Sequence, residues 1–473
     1  MKKLTLIFSV LMLIALAGCA EPRVIPEYEN DRFSEVFDHL FENHFSRPDK
    51  DQLWEGAIQG MIDALDDPFT RYLSEAEFQQ FQDSLGESFV GIGVQVENID
   101  NAPVIRQVFR NSPAERAGLQ AGDVITHVDG VDYRQRTYLE ILASVIGDID
   151  TEVEIGVARV GFQETIFVTM TRAQIENPTV VVETFEDGNQ TFGYIRVNSF
   201  GQQTFSFFSS NLGMLEDDLN IDGLVIDLRN NGGGLLTTVQ RMMDLFLSRG
   251  DLPMFIIESV SNGEVSQIEY NASGTVNKEY PIVILINGNS ASASEVFAAG
   301  MMEKAGFTTL GTPTFGKGTM QVPHSMTTAP GDELQTSVGR WLTPNGTWVN
   351  NIGGDVLAVE PTITVEANPF FQAFSIRLGS DERLTFDQVD RQIENAQKIL
   401  TALGYTVRQD GYFDQNMQSV VEAFQASHDL PVSGDIDQAT AAALSEALFV
   451  FRQDFDNDTQ LQAALDYLRN HGN

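Results

Sequence analysis

Apolar residues recur at helical spacing from Asp31 to Leu85, in FSEVFDHLFENHF, LWEGAIQGMIDAL and SEAEFQQFQDSL. The last two are separated by DDPFTRYL, where Pro68 starts a turn. From Ser88 to Arg172 the period shortens. FVGIGVQVE, APVIRQVF, DVITHVDG, EVEIGVARV and ETIFVTMTR read as short strands, interrupted by a glycine-rich turn, SPAERAGLQAGD, and one amphipathic helix, TYLEILASVIG. Between Phe192 and about Val365 strands and helices alternate: FGYIRVNSF precedes Gln203–Leu215, GLVIDLR precedes Leu235–Leu247, and PIVILIN precedes Ala293–Glu303. Apolar strands each followed by a helix predict βαβ units around a mostly parallel sheet. An acidic helical block, Phe386–Leu448, follows a linker near Asn368–Arg383.

Length and charge narrow the picture. A chain of 473 residues predicts roughly three domains, and 42% hydrophobic content supplies their cores. Lys+Arg 29 against Asp+Glu 67 leaves a net charge of −38, which repels a polyanion and excludes nucleic acid as a partner. Lys2 and Lys3 precede an apolar run, Leu4–Ala17, too short to span a bilayer and suited to a signal peptide over 1–18. The run ends LAGC, and Cys19 is the only cysteine, so no internal disulfide forms. LAGC resembles a bacterial lipobox. That resemblance implies cleavage before Cys19, lipid on its thiol, a tether over 19–30, and an exported protein held at the outer side of the cell membrane. His39 and His44 read as surface or packing residues.

The βαβ pattern brings three loops to one carboxyl edge of the sheet. GLVIDLR delivers NNGGG (Asn230–Gly234), PIVILIN delivers the turn with Ser290, Ser292 and Ser294, and FTTLG (Phe307–Gly311) delivers TPTFGKGTMQ with Lys317 and Gln321. A serine hydroxyl is a poor nucleophile without a base in hydrogen-bond reach. A lysine is that base only when neutral, which burial favours. Free N–H groups at a helix start and in a glycine-rich turn cradle a developing oxyanion. Taken alone, SASAS reads equally well as a capped helix start; the neighbouring loops favour acyl transfer. Of the six histidines (39, 44, 127, 324, 428 and 471) only His324 lies near these motifs, so a Ser-His-Asp triad has thin support. GNSAS lacks the second glycine of a nucleophile elbow. No HExxH or paired Cys/His set is present, so neither a metal nor another cofactor is expected.

NSASASE, with its middle serine 25 residues before the lysine of PTFGKGTMQ, resembles the bacterial carboxyl-terminal processing proteases (tail-specific proteases, peptidase family S41). DLRNNGGGLL and DDPFTRYL match the same family. The resemblance covers nearly all of Asp31–Glu366 and implies a multidomain α/β protein with a crotonase-like (ClpP-related) core over 173–367, after an N-terminal helical region over 31–87. It makes Ser292 the nucleophile, Lys317 the general base, and Gln321, one helical turn beyond, the residue that orients the lysine. The backbone N–H groups of Gly233 and Ala293 become the oxyanion hole. Gly232 stands where the family often has proline, a departure that touches loop rigidity only.

Residues 88–172 resemble a PDZ domain, which implies a carboxylate-binding loop and strand at Val90, Gly91, Ile92 and Gly93 and a side-chain pocket at Leu139, Leu142 and Val145. Each of those pocket residues reads equally well as ordinary core. After a linker over 368–385, residues 386–448 resemble a small all-α peptidoglycan-binding domain, on Asp410–Phe413, Phe424–Gln425 and LPVSGDID; 449–473 read as a helical tail. A bare helical docking module is the alternative for that block. The resemblances together imply a lipid-anchored, wall-associated serine endopeptidase that recognises the C-termini of protein substrates. The alternative is a decayed protease serving as a PDZ and peptidoglycan-binding scaffold, against which Ser292, Lys317 and Gln321 stand intact.

Overall fold

Residues 27–472 are described by a computed structural model, apart from 86–87, 100–101, 110–111, 121, 134–137, 160–164, 177–178, 262–263, 277, 352–356, 375, 377 and 379–381. Cys19 and the leader lie outside the described residues. Two units divide the chain, the first made of Met1–Phe78, Ile257–Ile268 and Thr319–Trp341, the second of the remainder.

In the first unit, helices Glu27–Asn43 and Lys50–Asp63 precede a sheet ordered Arg71–Leu73, Glu333–Leu342, Phe255–Ser261, Glu264–Tyr270, with Thr319–Ser325 also paired to Glu333–Leu342. DDPFTRYL forms its first edge. The Asp67 carboxylate accepts the Phe69 N–H at 3.0 Å and the Thr70 hydroxyl at 2.6 Å, and Thr70 Oγ1 accepts the Ser337 N–H at 3.1 Å. Burial raises the Asp67 pKa, but these donors outweigh it and hold the carboxyl below its ordinary value. The motif is therefore a structural turn that pins Arg71–Leu73 to Glu333–Gln335.

In the second unit the central sheet contains β1 (Val180–Asp187), β2 (Gln190–Val197), β3 (Gly223–Asp227), β4 (Ile282–Ile286), β5 (Thr308–Gly311) and β6 (Ile363–Thr364), in that spatial order. β1 and β2 are antiparallel; every later pairing is parallel. All residues of β3 and β4 are buried, the unbroken apolar run of strands covered on both faces. The helices of the βαβ units are α1 (Thr204–Gly213), α2 (Leu236–Met243) and α3 (Ala293–Ala305). α3 is buried along Ala293–Met301, and its small residues permit this: a Cβ on Gly300 would lie 2.0 Å from Met243 Cε.

One face of the sheet is covered by a helix from the far end of the chain. α4 (Thr459–His471) packs Leu461, Ala464, Leu465 and Leu468 against Phe192, Tyr194, Val225, Val283, Leu285 and Leu310. The segment read as a tail is thus part of the protease core. Its LQAALDYL pattern gives the helix, but nothing local names the surface it covers.

The helical block before α4 has its own core, including Ile393, Leu400, Phe413, Val421, Phe424 and Leu444. It is built on a doubled device. Gln397 and Gln425 are both fully buried. Gln397 Oε1 accepts the Asp410 and Gly411 N–H groups, and its amide donates to Tyr412 O; Gln425 does the same with Ser433, Gly434 and Asp435 O. Each turn then ends on an aspartate, Asp414 or Asp437, that N-caps the next helix. Where the block leaves and rejoins the core, Asn368 Nδ2 donates to Asn457 O at 3.0 Å, Thr459 Oγ1 to Glu366 O at 2.9 Å, and Gln460 Nε2 to Val365 O at 2.7 Å. Its two ends are clamped side by side.

Residues 88–172 form a sheet ordered Val94–Ile99, Ala102–Val108, Val124–Val128, Glu152–Ala158, Ile166–Thr171, so Val94–Ile99 is an edge strand among the described residues. Ile92 and Val145 lie in the core of this region with Ile105, Ile125 and Ile141. Val90 and Gly91 end the strand Ser88–Gly91, and Gly93 turns at φ 84° into Val94–Ile99. Leu139 and Leu142 fall on helix Tyr138–Val145, with side chains outside the described part. Buried Arg172 caps that helix, donating to Ser144 O and Val145 O.

Candidate active site

Because β3, β4 and β5 are parallel and in register, their carboxyl ends project three loops from one edge. The first is Leu228–Gly234. Arg229 opens it, with its guanidinium held between the Asp227 carboxylate (Nη2–Oδ2 2.6 Å) and the Asp458 carboxylate (2.8 and 2.7 Å) at the N-cap of α4. Tyr194 OH donates to the same Asp227 oxygen at 2.7 Å. Burial raises the Asp227 pKa, yet the arginine outweighs it and holds the carboxyl below its ordinary value; burial and Asp227 together push the Tyr194 phenol up. At the tip, Gly233 (φ 111°) and Gly234 (φ 143°) adopt conformations that favour glycine, and a Cβ on Gly234 would lie 2.5 Å from Phe200 O. The Gly233 N–H donates to Asn231 Oδ1 at 2.9 Å.

The second loop carries the serines. Ser290 and Ser294 are fully buried, whereas Ser292 is half-buried at the start of α3, with φ 54° and ψ −115°. A non-glycine residue at that φ is strained and is held only by its surroundings. Glu295 does the holding. Its Oε2 accepts the Ser292 N–H at 2.7 Å and the Lys317 N–H at 2.8 Å, while Oε1 accepts the Thr314 hydroxyl at 2.6 Å and the Gly316 N–H at 2.7 Å. One carboxylate oxygen therefore sits against the backbone nitrogens of both Ser292 and Lys317. Burial raises the Glu295 pKa, and the four donors oppose it. The Ala293 N–H, first in α3, donates to no protein acceptor among the described residues.

The third loop, Thr312–Gly318, presents Lys317 half-buried between two constrained glycines. Gly316 has φ 88°, and a Cβ on Gly318 would lie 1.5 Å from Val349 O. Trp348 Nε1 donates to Gly318 O at 3.2 Å. Phe315 beside it stays 42% exposed.

Gln321 lies in the first unit. It does not stand a helical turn beyond Lys317: β-branched Thr319 and Val322 continue the chain as the strand Thr319–Ser325, with a bulge between Met320 and Gln321. Its amide donates to Thr319 Oγ1 at 2.8 Å and Ser337 Oγ at 3.0 Å. His324 is exposed on the same strand. Glu295 and Arg229 were missed as site residues in the sequence. Glu295 carries a usable signal, since S-x-x-E at a helix start is a capping pattern. Arg229 carries none, because its partner Asp458 is 229 residues away. Among the described residues no cluster of His, Cys, Asp or Glu has the geometry to hold a metal ion.

A family model for peptidase family S41 matches residues 191–365, a PDZ model 90–170, a peptidoglycan-binding domain model 390–444, and a model of the N-terminal domain of the activating protease CtpB 21–77. Two relatives from Bacillus subtilis (strain 168) are similar over almost the whole chain. Carboxy-terminal processing protease CtpB is 33% identical over 92% of this chain and 88% of its own, and CtpA is 30% identical over 93% and 90%. Among solved structures, a photosystem II D1 C-terminal processing protease aligns with a TM-score of 0.46 and 26% identity over 72% of this chain and 88% of its own. An α/β core with these matches defines a serine-type peptidase carrying a PDZ domain and a peptidoglycan-binding domain. The chain belongs to peptidase family S41, the carboxy-terminal processing proteases.

Proposed function

We propose that this protease cleaves exported proteins by a Ser-Lys mechanism after engaging their C-termini. The observation that carries the reading is the shared carboxylate: Ser292 alone of its three serines is accessible, and Glu295 Oε2 binds its backbone nitrogen and that of Lys317 together. Ser292 Oγ attacks the scissile carbonyl carbon as its proton passes to neutral Lys317 Nζ. The negative oxygen of the tetrahedral intermediate takes the Ala293 N–H and the Gly233 N–H, the latter in competition with Asn231 Oδ1. Collapse breaks the C–N bond, the lysine proton goes to the departing amine, and water attacks the resulting ester by the same route in reverse. Gln321 orients the lysine in this reading.

The strand Val94–Ile99, at the end of its sheet among the described residues, and the backbone of Val90–Gly93 suit an added peptide strand ending in a carboxylate. An unfolded peptide substrate with a free C-terminus is expected to be cleaved at least about tenfold more efficiently, in kcat/KM, than the same peptide amidated there. Equal rates for both overturn the C-terminal recognition.

A cell-envelope location fits the peptidoglycan-binding domain and the bacterial relatives. In our reading Cys19 carries lipid and anchors the enzyme, and the helical block holds peptidoglycan. Cys19→Ser is expected to shift the protein from the membrane to the soluble fraction or to stop its maturation; unchanged fractionation with no lipid label removes the anchor. Because the ends of the helical block are clamped together, replacing 374–450 by a short glycine-serine linker is expected to preserve cleavage of an unfolded peptide and to abolish co-sedimentation with purified cell wall. Undiminished sedimentation of that variant would place wall binding elsewhere.

A further inference from the structure

Ser290 and Ser294 are fully buried, and a buried hydroxyl costs free energy unless it is hydrogen-bonded. Both hydroxyls find their partners on the glycine loop. Ser290 Oγ donates to Leu228 O at 2.8 Å and accepts the Asn287 N–H at 3.0 Å. Ser294 Oγ donates to Asn231 O at 2.8 Å, a carbonyl that also accepts the Ala291 N–H at 3.0 Å. Asn231 is itself buried and passes the constraint on: its Nδ2 donates to Val197 O at 2.8 Å and its Oδ1 accepts the Gly233 N–H. Gly233 in turn lies hard against the nucleophile turn. A Cβ there would be 3.0 Å from Ser292 Cβ and 3.1 Å from Ala293 N. A shift of Asn231 therefore moves Gly233 relative to Ser292.

We propose that Ser290 and Ser294 are positioning residues that hold the Leu228–Gly234 loop in register with Ser292, so that loop and α3 donors meet one developing oxyanion. A plain helix start asks only for small or capping residues at these positions. Two hydroxyls reaching carbonyls 62 and 63 residues away, on the adjacent catalytic loop, do something else. This accounts for serine at every second position of SASAS: the middle one reacts and the outer two align. The inference rests on the reading of Ser292 as nucleophile.

The test uses the full chain with Ser290→Ala, Ser294→Ala and the double variant, each checked for a cooperative melt and assayed below its melting temperature on an unfolded peptide. Donors that matter in the transition state alter kcat, not ground-state binding. Each single variant is expected to lower kcat about tenfold and the double about a hundredfold, with KM within twofold of wild type. If both single variants keep kcat within twofold of wild type, or raise KM at unchanged kcat, the inference fails. Should Ser294→Ala not melt cooperatively, Ser290→Ala, whose lost hydroxyl bonds Leu228 O rather than Asn231 O, decides. Ser292→Ala run alongside separates the two readings: an active Ser292→Ala overturns the nucleophile, whereas an inactive one beside fully active Ser290→Ala and Ser294→Ala overturns this inference alone.

Discussion

Ser292→Ala is expected to lower turnover of an unfolded protein by about 10³-fold or more while leaving the melting temperature within a few degrees of wild type. The chemical half follows from losing the atom that forms the acyl bond. The structural half follows from the half of the capping box that alanine keeps. The strained backbone at φ 54° is held through the Ser292 N–H and the Glu295 carboxylate, a contact that alanine keeps. Alanine pays the same conformational strain, so the turn persists. Initial rates by gel or mass spectrometry, with a thermal melt on the same preparation, check both halves. Wild-type turnover would remove Ser292 from the mechanism. A collapse in melting temperature would show that the hydroxyl, not the Glu295 contact, supports the turn.

Lys317→Arg is expected to be as inactive as Lys317→Ala, again by about 10³-fold or more. An ordinary lysine is neutral in less than about one part in a thousand at pH 7, so a working base requires surroundings that favour its neutral form. A guanidinium keeps its proton in proteins whatever its surroundings. The position leaves no room for adjustment: Gly316 is tied to Glu295, and Gly318 lies against Val349 and Trp348. A longer side chain on that fixed backbone also carries its nitrogens past the lysine's reach. Wild-type activity is expected to rise with pH, since the neutral amine accumulates as pH increases. A Lys317→Arg variant turning over near the wild-type rate would exclude Lys317 as the base. His324, exposed on its strand, would then be the residue to test.

How much of this was legible in the chain depends on the range of each interaction. The βαβ order and the three loops on one edge follow from local apolar runs and from motifs placed at strand ends, whereas the choice of Ser292 among its neighbours is what the family resemblance implies. The capping pattern from Ser292 to Glu295 was equally local, but only the fold shows that the same carboxylate crosses to Thr314, Gly316 and Lys317. The region around Gln321 misled because a step of four residues from Lys317 suggests a helical turn, whereas Thr319 and Val322 favour a strand once Glu333–Leu342 offers its edge. α4 was legible as an amphipathic helix and illegible as a piece of the core, since its partners, Phe192 to Leu310, lie far upstream. The Arg229–Asp458 pair shares that difficulty.

The clamp at the base of the helical block has a mechanical consequence. If that block is fixed to a wall polymer while the chain start is fixed to a membrane, every displacement between the two surfaces becomes a pull on the enzyme. The load enters through residues next to Asn368 and Asn457, which are tied to each other, and passes to Thr459 and Gln460, tied to Glu366 and Val365. Both attachment points therefore move as one, and little of the tension is applied across the block between them. The next element in line is Asp458, ion-paired to Arg229 at the root of the glycine loop. The load path along the chain therefore runs past that ion pair.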